Sequence, residues 1–417
     1  MLTPLSAFAA EPIKGTNSDG VQYEYLIDEQ QELSSSPEIG CKAAFVANPE
    51  TGKIFYQKNA DKKMFPASTT KILTALVVLE NCDLDETAVV TQKALDLVPE
   101  GYSNANMRAG EEFTVYTLLQ ALLIPSANEA AIALAEHVSG SIEKFADLCN
   151  KRAKELGCKN LHFVNPNGVH SNKHYCTAHD LYLIAAACQS FDAFREIVST
   201  PSFTVPATDI YKFEDRTFNN TNELILNYSP NYYPECTGIK TGHTEEAGEC
   251  LVSSASKDNI DLICVVLGGK ILGNVNERFT DTKKLFDFVF DNYEYKQVLK
   301  KGEVMQTLNV DRADKDTASL DIITKNDIYT IVPKGADSDA VEKNTRLKTG
   351  IQAPLREGAR LGVALVTVDG ITYYADLVAS HSVKMQSFTL YIIIVAAAVI
   401  LLIAIIIIIA KSKKKKA

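Results

Sequence analysis

Apolar residues run unbroken, alternate with polar ones or recur every three to four positions in different stretches of the chain, and each texture predicts a different element. Ala43-Ala44-Phe45-Val46 and Gly52-Lys53-Ile54-Phe55-Tyr56 read as two strands around a turn at Asn48 to Gly52. Leu73 to Leu79 reads as a buried helix, and Leu118 to His137, Phe145 to Leu156 and Asp180 to Cys188 carry helical spacing. Leu251 to Ser254 and Leu262 to Leu267 are short apolar strands, followed by a helix near Thr282 to Phe290. Helices set between early and late strands predict an α+β domain over residues 37–293. From 294 to 382 short β-like runs such as Ile328 to Val332 and Leu361 to Val366 alternate with Gly and Asp turns, which predicts a small all-β domain. Residues 12–36, rich in Ser, Glu and Gln, read as a linker.

The C-terminus has another texture. Residues 388–410 are almost wholly apolar, and about 20 such residues cross a bilayer as helix. Tyr391 sits near one end, and five lysines lie within residues 411–417. Positive residues stay cytoplasmic, so the expectation is a single-pass membrane helix with a cytoplasmic basic tail and all preceding residues outside the cell membrane. Export needs a signal. Ala7-Phe8-Ala9 has the small-x-small form that ends a signal peptide, so residues 1–36 are read as a signal-peptide remnant and linker.

Charge then narrows the partners. The chain has 42 basic and 52 acidic residues, and without the five tail lysines the balance is 37 against 52. No basic face is available for phosphates, which excludes nucleic acid as the partner. The nine cysteines are odd in number and contain no CxxC pair, so they read as small buried hydrophobes rather than a disulfide framework. His170, His174, Cys176 and His179 cluster within ten positions, but no second ligand group follows at zinc spacing, and no metal is expected.

The sharpest local feature is Pro66-Ala67-Ser68-Thr69-Thr70-Lys71, opening the apolar run that follows. Pro66 and Ser68 suit a helix start, and Ser68 and Lys71, three apart, face one side of its first turn. A serine needs a base to become a nucleophile, and a lysine can serve where desolvation or a nearby positive charge lowers its pKa. Ser141-Ile142-Glu143-Lys144 repeats the spacing and reads as chance. A second element, Pro125-Ser126-Ala127-Asn128, offers a hydroxyl for relaying protons and an amide for holding a peptide, or simply a helix cap. A third, Gly238-Ile239-Lys240-Thr241-Gly242-His243-Thr244, followed by Ala247-Gly248, suits a strand that docks an extended peptide and its carboxylate. A second Lys348-Thr349-Gly350 lacks the Ala-Gly sequel and is set aside.

In this order and spacing the three elements form the signature of penicillin-recognising serine enzymes, and the chain closely resembles the D-alanyl-D-alanine carboxypeptidases of the low-molecular-mass penicillin-binding proteins. The resemblance runs from Ala43 to Ala379. It includes Tyr56-x-Lys58-Asn59-Ala60-Asp61, Ile124 to Ala131, Asn165-Pro166-x-Gly168, His174 to Leu181, Asn220-Thr221-Asn222-x-Leu224 and, in the β domain, Ala353-Pro354-Leu355-x-x-Gly358. It implies a transpeptidase/β-lactamase-like domain, the small β domain and a C-terminal membrane anchor. It also implies that Ser68 attacks the bond between two D-alanines of peptidoglycan stem peptides, with Lys71 taking its proton and Ser126 and Lys240 relaying a proton to the leaving amine. Asn128 would hold a substrate amide, Gly242 would belong to the binding strand, and the backbone N–H groups of Ser68 and His243 would form the oxyanion hole. Thr241, helped by Arg278, would meet the terminal carboxylate. β-Lactam antibiotics would acylate the same serine, and no cofactor is implied. His174 and Asp180 would stand near the site in structural or pKa-tuning roles. One departure from the family, the segment from Asn227 to Gly238, is longer than usual and is expected to reshape the substrate groove.

Two rival readings make distinct demands. A β-lactamase requires a deacylating Glu in a Glu-x-x-x-Asn context, met only formally by Glu223 to Asn227. A silent wall-binding or β-lactam-sensing protein would not need Ser68, Lys71, Ser126 and Lys240 all intact.

Overall fold

A computed structural model describes residues 13–16, 22–25, 36–212, 216–336, 341–387 and 389–414. The signal-like Ala7-Phe8-Ala9 and the last three residues lie outside them. The chain forms two compact units, one including Tyr25–Tyr295 and Ile331–Ala336, the other Lys296–Thr330 and Asp337–Ala417.

The first unit is built on a five-stranded antiparallel sheet. Its strands are β1 (Ala43–Ala47), β2 (Ile54–Lys58), β3 (Cys236–Thr244), β4 (Gly248–Lys257) and β5 (Ile260–Gly269), in the order β2-β1-β5-β4-β3. N-terminal and C-terminal segments thus close one sheet through the β1–β5 ladder, in which Val46 opposes Cys264 and Ala44 opposes Val266. The turn between β1 and β2 follows from local chemistry. Asn48 accepts from the backbone of Glu50 and Thr51 ahead of Gly52, whose φ is +73°.

Both faces of the sheet are covered, so its inner strands are apolar on both sides. Phe45, Ile263, Val265 and Leu267 join one hydrophobic cluster; Val46, Leu262, Cys264 and Val266 join the other. Alternation at period two divides a continuous apolar run between two cores. The larger core holds α1 (Lys71–Asn81), α2 (Val115–Leu123), α3 (Asn128–Ser139), α4 (Ile142–Glu155) and α5 (Ala178–Cys188), and the opposite face holds α6 (Glu277–Asn292). Helix α1 is buried from Lys71 through Val78. Apolar all round, it belongs at the centre of the helical layer.

Several boundaries differ from the sequence expectation. The helical pattern from Leu118 to His137 is two helices, interrupted at residues 124–127, where Pro125 removes a donor and Ser126 takes φ +68°. Strands expected at Leu251 to Ser254 and Leu262 to Leu267 extend to ten residues each. Short strands at Ile13–Thr16 and Gln22–Tyr25 stand where a linker was expected. Tyr23 and Tyr25 alternate with polar residues there, a pattern that average polarity hides.

In the second unit, β6 (Val304–Asn309), β7 (Ser319–Thr324), β8 (Glu342–Leu347), β9 (Arg360–Val368) and β10 (Ile371–Ala379) pair antiparallel in the order β6-β7-β10-β9-β8. Asp369 and Gly370, both at positive φ, turn β9 into β10. Thr389–Lys414 is one helix, and its window Ile392–Ile409, with mean hydropathy 3.8 and no burial against the protein, is long and apolar enough to cross a membrane.

Candidate active site

Ser68 lies in a 3₁₀ turn, Ala67–Thr70, just before α1, which starts at Lys71, rather than in the first turn of that helix as expected. The turn still brings Lys71 round to it: Nζ lies 2.9 Å from Ser68 Oγ, within hydrogen-bond distance. The same nitrogen donates to Asn128 Oδ1 at 2.9 Å and to the Asn167 carbonyl at 2.7 Å. Lys71 is fully buried, and desolvation, reinforced by Lys240 and opposed by Glu129, holds its pKa well below the usual lysine range. With its two N–H groups given to the Asn128 and Asn167 oxygens, a neutral amine would turn its lone pair to the Ser68 hydroxyl.

The turn is held by a chain of hydrogen bonds. His174 Nδ1 accepts from the Val164 N–H, so its proton sits on Nε2 and is donated to Thr70 Oγ1 at 2.9 Å. Thr70 in turn donates to the Ala67 carbonyl. Burial pushes His174 down to about 3, which keeps the imidazole neutral in this role. Asp180 stands elsewhere: it accepts from the backbone of Lys159 and Asn160. Gly168 presses against the same turn; a Cβ there would stand 1.9 Å from the Ala67 carbonyl oxygen.

Strand β3 lies at the edge of the sheet beside this turn, so one row of its backbone groups is free of sheet partners. Gly242 permits the approach, since a Cβ would meet the Pro66 oxygen at 2.8 Å and the Ser68 nitrogen at 3.0 Å. Lys240, fully buried on β3, donates to Thr221 Oγ1 at 3.3 Å and is brought down to about 7 by desolvation and the nearby Arg278. Thr241 Oγ1 donates to Thr221 Oγ1 at 2.6 Å.

A cleft of about 380 Å³ opens over these groups, lined by Ser68, Ser126, Asn128, Thr241, Gly242, His243 and Arg278 among others. The structure therefore brings together eight of the nine residues singled out in the sequence as lining or, for Lys71, abutting this cleft, while Lys240 reaches it through Thr221. Ser126 Oγ is buried without a hydrogen-bond partner. Asn128 is oriented by the Ser103 carbonyl, which accepts from its side chain at 2.8 Å and its backbone at 3.1 Å. One further amide hydrogen of Asn128 is left for a ligand.

Residues 30–271 match the family described as D-alanyl-D-alanine carboxypeptidase. The chain belongs to that family. Residues 293–385 match the C-terminal domain of penicillin-binding protein 5. The D-alanyl-D-alanine carboxypeptidase DacF of Bacillus subtilis is 32% identical over 357 residues, covering 84% of this chain and 88% of the relative. DacA of Escherichia coli is 30% identical over 349 residues, 81% of each chain. Penicillin binding protein 5 from Haemophilus influenzae superposes with TM-score 0.64 at 27% identity, over 84% of this chain and 99% of that one. A peptidoglycan synthesis regulatory factor from Streptococcus pneumoniae does so with TM-score 0.67, at 27% identity, over 84% of this chain and 100% of that one.

This carboxypeptidase, a hydrolase with a penicillin-binding-protein fold, also carries residues that sequence reasoning passed over. Glu249 accepts from Arg278 Nη1 at 2.6 Å and Asn276 at 3.0 Å, and its other oxygen meets His243 Nδ1 at 2.8 Å. It lies directly across the β3–β4 ladder from His243, a position the tight turn at Glu245-Glu246-Ala247 would have marked. Thr221 lies within the family-like Asn220-Thr221-Asn222 string, which assigns it no role, and Ser103 carries no sequence signal beyond lying in a loop. The long segment before Lys240 corrects an expectation: it adds no residue to the cleft wall. It packs away from the cleft, with the Tyr233 hydroxyl donating to Asp287 and Glu223 accepting from Ser229 and Asn231. Glu223 is thereby committed to its own loop. Ser141 caps α4, accepting from the Lys144 N–H, and Lys348-Thr349-Gly350 is exposed in the second unit. All nine cysteines are unpaired thiols.

Proposed function

We propose that this carboxypeptidase removes the terminal D-alanine from peptidoglycan stem peptides through an acyl-enzyme on Ser68, and that β-lactams acylate the same serine. The observation that carries the reading is the buried Lys71 amine 2.9 Å from Ser68 Oγ. A neutral amine accepts the hydroxyl proton as Oγ attacks the carbonyl between the two D-alanines. The stem peptide lies extended along the free edge of β3, as an added strand. Negative charge on the carbonyl oxygen develops between the backbone N–H groups of Ser68 and His243, where one donor contributes about 3–4 kcal/mol.

Protonated Lys240 and the Ser126 hydroxyl pass a proton to the leaving amine. Thr241 meets the terminal carboxylate, with Arg278, fixed by Glu249, supplying positive charge behind it. Asn128 donates its remaining amide hydrogen to a substrate carbonyl. Water then hydrolyses the ester and frees Ser68. The helix Thr389–Lys414 anchors the enzyme in the cell membrane, with the lysine-rich end in the cytoplasm and both units on the outer side. The test is release of D-alanine from a D-Ala-D-Ala pentapeptide by the full chain in detergent. Ser68→Ala should abolish release and penicillin labelling; if it still labels while Ser141→Ala does not, the nucleophile is misassigned.

A further inference from the structure

Away from the cleft, three side chains of different chemistry converge where two helices end. Cys82 is the residue that closes α1, its N–H donating to the Val78 carbonyl. His137 lies in the last turn of α3. Glu86 comes from the loop that leaves α1. One thiol, one imidazole nitrogen and one carboxylate oxygen from these residues lie within 4.8 Å of one another. The carboxylate is already aimed: Glu86 accepts from the Asp83 N–H at 2.7 Å, which leaves its second oxygen 2.9 Å from His137 Nε2. Cys82 and His137 are partly buried, whereas Glu86 is exposed, so an ion can enter from solvent.

We infer that Cys82, Glu86 and His137 form a binding site for a thiophilic divalent metal, Zn²⁺ or its congener Co²⁺, with water in the fourth position. A soft thiolate, a borderline imidazole and one carboxylate suit these ions and not Ca²⁺ or Mg²⁺, which take oxygen ligands in greater number. Metal–ligand bonds of about 2.0–2.3 Å place tetrahedral donors roughly 3.5 Å apart. The three atoms therefore need only to tighten around the ion. The metal takes the place of the proton shared by Glu86 and His137; the imidazole keeps its proton on Nδ1, and the thiol proton passes to solvent.

The site has a structural consequence. Helix α1 begins with Lys71 and α3 with Asn128, and the two helices pack together. The metal would join their far ends, about 15 Å from the cleft at 1.5 Å of rise per residue. It would stabilise the pair of helices that present those two residues without touching them.

Co²⁺ titration of the full chain in detergent tests this. The expected result is one equivalent bound, with a thiolate-to-cobalt charge-transfer band in the near ultraviolet that Zn²⁺ abolishes by displacement. Cys82→Ser should remove the band, and His137→Gln should weaken binding at least tenfold. Zn²⁺ at about 100 times the wild-type dissociation constant should raise the Tm of the wild type by roughly 5–10 °C, that of His137→Gln by no more than about half as much, and leave that of Cys82→Ser unmoved. D-alanine release should be unchanged in both variants. Absence of the band, or a band of equal strength in Cys82→Ser, overturns the inference. So does a Zn²⁺-induced rise in Tm of wild-type size in His137→Gln.

Discussion

Replacing Gly242 by Ala probes how closely β3 must approach Ser68, the proposed nucleophile. Gly242 has no unusual φ, so the added methyl costs nothing in backbone conformation. Its cost is contact: the new Cβ would lie 2.8 Å from the Pro66 oxygen, 3.0 Å from the Ser68 nitrogen and 3.1 Å from the Thr69 nitrogen. All three are backbone atoms, so no side chain can swing aside. Restoring ordinary contact requires β3 and the Ser68 turn to separate by roughly half an ångström. A misplacement of about 1 Å costs about 100-fold in rate, so kcat/KM for D-alanine release should fall about 10- to 100-fold, or roughly 1.4–2.8 kcal/mol. Overpacking of this size destabilises by about 1–3 kcal/mol, which leaves a folded enzyme to assay. Gly350→Ala supplies the internal control. It alters the other Lys-Thr-Gly of the chain, where φ is +74° but no atom lies within 4 Å of the new Cβ, and activity should not change. A folded Gly242→Ala enzyme with kcat/KM within about twofold of wild type would refute the reasoning from close approach.

Three further outcomes follow from the site. The proposed acylation uses neutral Lys71 and protonated Lys240; with Lys240 near 7, kcat/KM should decline as pH rises through that value. Arg278→Gln removes a positive neighbour, so Lys240 should hold its proton to higher pH and the declining limb should move upward; a pH–rate profile showing no movement, or a downward one, contradicts the assignment. The penicilloyl ester should persist, because Glu223, which alone between Asn128 and Lys240 stands in a Glu-x-x-x-Asn context, is held by Ser229 and Asn231 in its own loop, and loss of positioned base catalysis costs roughly 10²–10⁴ in rate. Mass spectrometry after a penicillin pulse would detect the adduct, and its loss within seconds would favour a β-lactamase. Truncation before Phe388 should yield a water-soluble, active enzyme, since the apolar helix holds no residue of the cleft; an inactive but folded truncation would tie anchor and catalysis together.

Much of this protein is written in local order along the chain. Periodicity alone separates the helical middle of the first unit from its flanking strands, and the β-rich second unit from the apolar C-terminal helix. Three short elements around Ser68, Ser126 and Lys240 also announce themselves, because each couples reactive side chains to a turn or helix start within a few residues. What local order cannot decide is which copy of a motif meets its partners. Ser141-x-x-Lys144 has the spacing of Ser68-x-x-Lys71, yet Ser141 only caps a helix. Lys348-Thr349-Gly350 repeats Lys240-Thr241-Gly242, yet Gly350 faces open space. The tertiary fold chooses, by packing β3 against the Ser68 turn across more than 160 positions of sequence. The lowered pKa of Lys71 has the same origin, since desolvation depends on the helices and strands that close around it. Glu249 and Ser103 stand in no motif, and Thr221 and Gly168 appear only inside family-like strings with no role attached, for this reason: each acts through a contact made only when distant segments meet.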